Sequence, residues 1–410
     1  MHRLLALTAA SVLAVAPGSL DRTFGVHGKV TTRIGSDAGA HAVAVQPDGK
    51  VVAAGYAKTG GHYVFALARY TAHGRLDRSF GRAGIAKTAF ESDSFAYALA
   101  LQRDGKLVVV GSTSDGSRSR MALSRYRRDG SLDRSFGRRG KVVTSLSGNA
   151  LAVAIQRDGK IVVGGGANHA FVLLRYRRDG IADKSFGTGG VVTTVVTPGS
   201  GAFGNVTSLE VGPDGKIVAA GSAGGHEWSE IAVARYTRAG ALDQGFGSRG
   251  VATAFDQALS SNFAAGVVLQ PDGRIVVGGS ASASFALLRF RSNGSLDPTF
   301  GSDGPGWTFS PQGASAFALT RQPDGRLLLA GAGPAGKRRI FTVARYTRDG
   351  AIDHSFGAGT GSTSTALGKH EDVGYGVDFG RDGRIVVAGA VNEYGPGGGS
   401  FGLVRYVGTR

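Results

Sequence analysis

The chain has no cysteine among its 410 residues. That excludes a disulfide framework and any thiolate metal site, so stability has to come from packing and hydrogen bonding. Glutamate is scarce too, with six residues in a chain of net charge +17. Beyond the first sixteen residues there is no long apolar run of the kind a membrane helix of about 20 residues needs. No helical periodicity appears there either. His41, His62, His169, His226 and His370 are scattered, without metal-ligand spacing. Gly164-Gly165-Gly166 follows a strand-like run but opens no helix, so a dinucleotide site is excluded. Gly395–Gly399 lacks the Lys-Ser or Lys-Thr of a phosphate cradle. Neither a metal nor a cofactor is expected.

What the chain does have is internal repetition. A turn Asp recurs at Asp48, Asp104, Asp158, Asp214, Asp272, Asp324 and Asp382. An Arg-aromatic pair recurs at Arg69, Arg125, Arg175, Arg235, Arg289, Arg345 and Arg405. The Asp of L-D-x-x-F-G recurs at Asp21, Asp77, Asp133, Asp183, Asp243, Asp297 and Asp353, with Ala182 and Ile352 replacing Leu in two copies. Seven modules of about 55 residues mean a solenoid, a propeller or an array. The 68 glycines fall mostly at fixed offsets in the module and mark turns rather than low complexity.

Each module carries four strand-like runs, in the first copy Ala42–Gln46, Lys50–Gly55, Val64–Tyr70 and Gly84–Phe90. Gln46-Pro47-Asp48-Gly49-Lys50 reads as a type I turn with a left-handed Gly and a bulge. Small residues mark the first run six before the turn Asp: Ala42, Ala98, Ala152, Ser208, Gly266, Ala318 and Gly376. That taper fits strands converging on an axis. Leu20–Ile34 is a fourth strand without its first three, and the chain ends on three strands without a fourth. The two ends sum to one module. The expected fold is all-β: a seven-bladed β-propeller of four-stranded antiparallel blades, closed by the N-terminal strand pairing in the last blade, a single domain over 20–407.

These motifs resemble the delta-60 repeat β-propeller family, and more distantly NHL-type propellers. The resemblance covers Leu20 to Tyr406. It implies a fold and no activity, so no catalytic residue follows from it.

The first residues, MHRLLALTAASVLAVA, have a basic start, an apolar stretch and an Ala-Val-Ala site. Residues 1–16 therefore read as a Sec-type signal peptide, and an extracellular or cell-surface location is expected. In a propeller, two sets of links share each face. The turn and L-D-x-x-F-G links are monotonous; the others vary. A unique ligand site needs unrepeated residues, so the variable face is where one is expected. Its polar-aromatic groups are His226, Glu227, Trp228 and Glu230 in one module, and His370, Glu371, Asp372, Glu393 and Tyr394 in another. The constant face is basic, most densely at Arg127, Arg128, Arg134, Arg138, Arg139 and Lys141, which suits an anionic surface. Glu210, Arg321 and Asp378 break the small-or-apolar pattern of the innermost strand, with Arg321 and Asp378 expected to face each other across two adjacent blades. The function expected is a monomeric, exported, non-enzymatic binding or scaffold propeller for a protein, glycan or anionic cell-wall polymer. The alternative is a carbohydrate-active hydrolase or lyase at the tunnel mouth, using Glu210, Asp378 or His41. Nucleic acid is not expected, because no platform of exposed aromatics interleaved with Arg is present.

Overall fold

The turn motif dictates the first hairpin of every blade. Gly49 adopts φ +80°, and its N–H donates to the Gln46 carbonyl at 2.9 Å while Gln46 N–H donates to Lys50 at 2.7 Å. The Asp48 carboxylate accepts the Lys50 N–H at 3.2 Å. In the computed structural model, which describes residues 16–197, 203–225, 228–255 and 262–409, this hairpin opens each of seven four-stranded antiparallel sheets. Blade one consists of Ala38–Val45, Val51–Thr59, His62–Tyr70 and Ile85–Thr88. The inner strands of blades two to seven are Asp93–Leu101, Asn149–Ile155, Phe203–Val211, Asn262–Leu269, Ser315–Arg321 and Asp372–Phe379.

Ring closure is made by the N-terminal strand. Lys29–Thr32 pairs antiparallel with Ser400–Tyr406, from Lys29↔Val404 to Thr32↔Phe401, and forms the outer strand of blade seven. Leu20 bridges Tyr406, and Gly18 N–H donates to Val407 at 2.7 Å. The small residues of the inner strands have the expected cause. A Cβ on Gly266 would lie 2.5 Å from the Leu319 Cβ of the next blade, and one on Gly376 would lie 3.1 Å from the Val43 nitrogen.

Each L-D-x-x-F-G loop is clamped by the repeat Arg. Arg289 is 2% exposed, yet its charge is satisfied. Its Nε donates to Asp297 at 2.9 Å, its guanidinium lies 4.7 Å from the Phe300 ring centre, and Nη1 reaches Asp349 of blade six at 3.1 Å. The same clamp recurs in blade seven across the two ends of the chain, as Arg405 to Asp21 at 2.8 Å over Phe24. The cation of the turn motif is a second partner for the same Asp, as in Lys106 to Asp133 at 3.0 Å and Arg384 to Asp21 at 2.7 Å. Asp133 also accepts the Ser135 hydroxyl at 2.7 Å. Arg69, Arg125 and Arg175 reach a carbonyl of the next blade, at Arg128, Arg178 and Arg238 respectively. Tyr70 reaches the other way, its hydroxyl donating to Thr32 of blade seven at 2.9 Å. Each blade is thus tied to both neighbours by residues that the repeat conserves within this chain.

Candidate functional site

All seven inner strands contain a β-bulge, seven residues before the turn Asp. A bulge inserts one unpaired residue and re-aims its side chain. The bulged residues, blade by blade, are His41, Tyr97, Leu151, Thr207, Ala265, Phe317 and Tyr375. The scaffold thus repeats the geometry but leaves the side chain free to differ.

Four ring-bearing bulge residues fall in consecutive blades and touch. Phe317 meets Tyr375 at 4.9 Å, Tyr375 meets His41 at 4.8 Å edge-on, and His41 stacks on Tyr97 at 5.4 Å. Ring contacts between successive blades mean that the bulged side chains converge near the axis. From His41 the aromatic surface continues outward through Tyr56 at 5.4 Å, then Tyr63 and Phe95, which lie 4.8 Å apart. Tyr56 and Tyr63 bracket the variable-face loop of blade one, so this arc forms the variable-face mouth of the tunnel. Phe317 is 37% exposed and Tyr394, beside the mouth, is 79% exposed.

Carboxylates border the rings. Tyr63 donates its hydroxyl to Asp37 at 3.0 Å, and Tyr375 donates to Glu393 Oε1 at 2.8 Å. Glu393 Oε2 is buried without a hydrogen-bond partner. Burial pushes Glu393 upward, Tyr375 opposes this, and the negative charges of Asp37 and Glu371 push it further up. Burial drives His41 down to about 4 against a hydrogen bond to the Ala96 carbonyl, so its ring is neutral at physiological pH. That bond makes Nδ1 the protonated nitrogen.

The inner-strand acids do a different job. Glu210 accepts the Leu269 N–H of blade five at 2.6 Å, and Asp378 accepts the Val45 N–H of blade one at 2.8 Å. These are the same interaction: an acid four before the turn caps the axis-facing N–H three before the turn in the next blade. Burial raises Glu210 to about 7 and Asp378 to about 6. The expected pairing of Arg321 with Asp378 is not formed. Asp378 extends forward to blade one, away from blade six, and its second oxygen accepts the Phe379 N–H. The charge of Arg321 acts instead on Glu210. Glu210 and Asp378 stand in blades four and seven, which are not neighbours.

The other expected residues divide. His226 and Glu227 lie outside the described residues. Trp228 is 40% exposed and packs on Phe255 at 6.1 Å, and Glu230 accepts the Thr197 hydroxyl at 3.2 Å. This group belongs to blade four and does not join the aromatic arc of blades six, seven, one and two. His370 is exposed and Glu371 half-buried. Asp372 is fully buried, with its oxygens accepting from the Leu367, Gly368 and Asn392 N–H groups. It holds the crossover in place and presents nothing to a ligand. Of the expected loop residues, the structure brings Glu371, Glu393 and Tyr394 to the edge of the arc. The arc itself was missed at sequence level, apart from His41. The one signal available was that the position seven before the turn varies freely inside an otherwise uniform strand.

On the basic side, Arg128 Nε donates to the Asp104 carbonyl at 2.6 Å and Lys141 Nζ to the Ala89 carbonyl at 2.9 Å. Arg127 lies 4.0 Å from Asp133. Arg134, Arg138 and Arg139 are exposed. Arg138, Arg139 and Lys141, with Arg120, line a groove of about 710 Å³ along the outer rim of blade two.

The fold recurs in solved structures. Virginiamycin B lyase from Staphylococcus aureus is similar with a TM-score of 0.52 at 11% identity, over 92% of this chain and 98% of that one. Drosophila Semaphorin 2a is similar with a TM-score of 0.50 at 9% identity, over 96% of this chain and 76% of that one. At these identities the likeness is one of architecture. No curated protein matches the chain. Residues 46–80, 102–136, 156–186, 212–246, 270–300 and 322–356 match a beta-propeller described as a domain of unknown function (DUF5122). Each match runs from the hairpin turn to the Phe of the F-G pair of one module. The seventh module is divided between the two ends of the chain, where closure needs it, and so offers no continuous stretch to match. Six matched modules and a seven-bladed ring place the chain in the delta-60 repeat β-propeller family.

Proposed function

We propose that the protein is an exported, non-enzymatic binding propeller that takes its ligand at the variable-face mouth of the tunnel. The observation that carries this reading is the bulged ring. The scaffold holds backbone geometry constant in seven blades, and the one inner-strand position released from the pattern gathers Phe317, Tyr375, His41 and Tyr97 side by side. Aromatic surface left partly open to solvent, with few polar groups at fixed positions, is the composition of a recognition site.

Binding is favoured over catalysis by the state of the acids. Glu210 and Asp378 are each taken up by a backbone N–H of the next blade. The Nδ1 of His41 is likewise used on Ala96. A hydrolase or lyase needs an acid and a base within reach of one bond. The test uses the secreted full-length protein on a panel of wall polymers, glycans and surface proteins. Capture of a panel member should be lost in Tyr97→Ala or Tyr375→Leu and kept in Trp228→Ala, with equal melting temperatures. Capture that survives both mouth substitutions would remove the mouth from the function. Release of soluble product from a polysaccharide would establish the enzymatic alternative instead.

A further inference from the structure

The mouth combines two features that a neutral ligand would not explain. Its rings are joined to carboxylates through tyrosine hydroxyls, Tyr63 to Asp37 and Tyr375 to Glu393. A phenol that donates to a carboxylate gains electron density, which strengthens the attraction of its face for a cation. Independently, no cation is among the charges that act on Glu393. The charges that act on Glu393 are those of Asp37 and Glu371, both of its own sign, and its second oxygen is buried with no partner. Burying a charge without a partner is costly. This occurs in a chain whose net charge is +17, where cations are abundant everywhere else. A cation already rests on the outer edge of the arc: Lys58 Nζ lies 5.2 Å from the centre of the Tyr63 ring.

We propose that the mouth recognises an alkylammonium group, seated against the Tyr56, Tyr97 and Tyr375 rings with Glu393 and Asp37 as its counter-charge. This rests on the reading of the mouth as the ligand site and adds the chemical class. A neutral sugar could stack on the same rings, but it would leave the Glu393 carboxylate buried beside two like charges. An ammonium seated on the rings offsets that repulsion by its charge alone, with no hydrogen bond to the buried Oε2. The neutral imidazole of His41 contributes ring surface without opposing charge.

Choline is the probe, with its uncharged carbon isostere and a neutral oligosaccharide as controls. All are titrated calorimetrically into the full-length protein at neutral pH and low salt. Choline should bind about tenfold more tightly than the isostere, the size of a partly desolvated cation–π contact with a counter-charge. Glu393→Gln should reduce choline affinity by about tenfold while leaving the isostere unchanged, a split that a merely structural role would not produce. Tyr375→Phe keeps the ring and should retain most of the affinity, whereas Tyr375→Leu should lose it. Equal affinity for choline and isostere, no choline binding at millimolar concentration, or insensitivity to Glu393→Gln would each overturn the proposal. If the oligosaccharide then binds in a Tyr375-dependent manner, the mouth remains the ligand site and only the class is wrong. If no probe depends on Tyr375, the site itself is wrong.

Discussion

At the scale of single residues, the repeat Arg is the costliest side chain to remove. Arg289 sits between Asp297, Phe300 and Asp349 with almost no solvent contact. Deleting Arg289 leaves the buried Asp297 with the more distant Arg274 at 3.4 Å and Arg291 at 3.7 Å, a loss somewhat below the roughly 3–5 kcal/mol of a fully broken buried pair. Arg289→Met should therefore lower the melting temperature strongly, while Arg134→Met on the surface should change stability by no more than about 0.5 kcal/mol. Similar melting curves for the two variants would show that the clamp contributes nothing net.

Two opposed titrations follow from the same kind of accounting. Burial alone would raise Asp77, but the Ser79, Lys50 and Arg69 contacts outweigh it and hold the carboxyl well below its usual range. Stability from the seven clamp carboxylates is present above the ordinary carboxylate value and is lost as pH falls below it. Glu210 and Asp378 behave oppositely. Raised to about 7 and about 6, they keep protons in the folded state that the unfolded chain has already released. Their contribution is complete below the ordinary carboxylate value and is lost as pH rises through 6 to 7. Thermal stability should peak on the acid side of neutrality. Replacing both acids by their amides, Glu210→Gln with Asp378→Asn, should flatten the decline and add about 1–3 kcal/mol at alkaline pH. An undiminished decline in the double variant would mean that these two buried acids are not its source.

At the scale of elements, the legible features were those that repetition enforces. The turn, the clamp and the split module each need particular residues at fixed places: Gly49 for a positive φ, Asp297 for Arg289, Leu20–Ile34 to complete the last blade. The bulge needs none. Any residue can occupy it, and His41, Ala265 and Phe317 share no property that periodicity could detect. That is why the fold could be read from the chain while the site it carries could not. The Arg321–Asp378 expectation failed for a directional reason. Side chains four before the turn reach the next blade in chain order, and Arg321 is in the preceding one. The closing strand yields the sharpest prediction at this scale. Without Leu20–Thr32, the Ser400–Tyr406 strand would present an unpaired edge, and Arg405 would lose Asp21. Such an edge is a template for aggregation. The truncated protein should aggregate or melt far lower, and unchanged melting would mean that the ring does not depend on this strand.

At the scale of the whole molecule, the carboxylates at the mouth and the densest basic cluster lie at different places on the wheel. The carboxylates of the mouth, Asp37, Glu371 and Glu393, lie on the variable side. Arg134, Arg138 and Arg139 sit in the repeated links of blade two, where Arg138 and Arg139 also line the rim groove. A disc whose basic cluster lies away from the mouth can rest on an anionic surface and leave its ligand mouth directed outward. The two contacts would then reinforce each other, because surface docking raises the effective concentration at the mouth. Docking of this kind is electrostatic, so it should weaken steeply once the Debye length falls to about 8 Å at physiological salt. Reversing Arg134, Arg138 and Arg139 together to Glu should abolish retention on an anionic wall polymer at low salt. The same triple variant should leave choline binding at the mouth unchanged, while Glu393→Gln should show the converse. Retention that survives the triple reversal, or that ignores ionic strength, would mean that the basic face is only a solvated one.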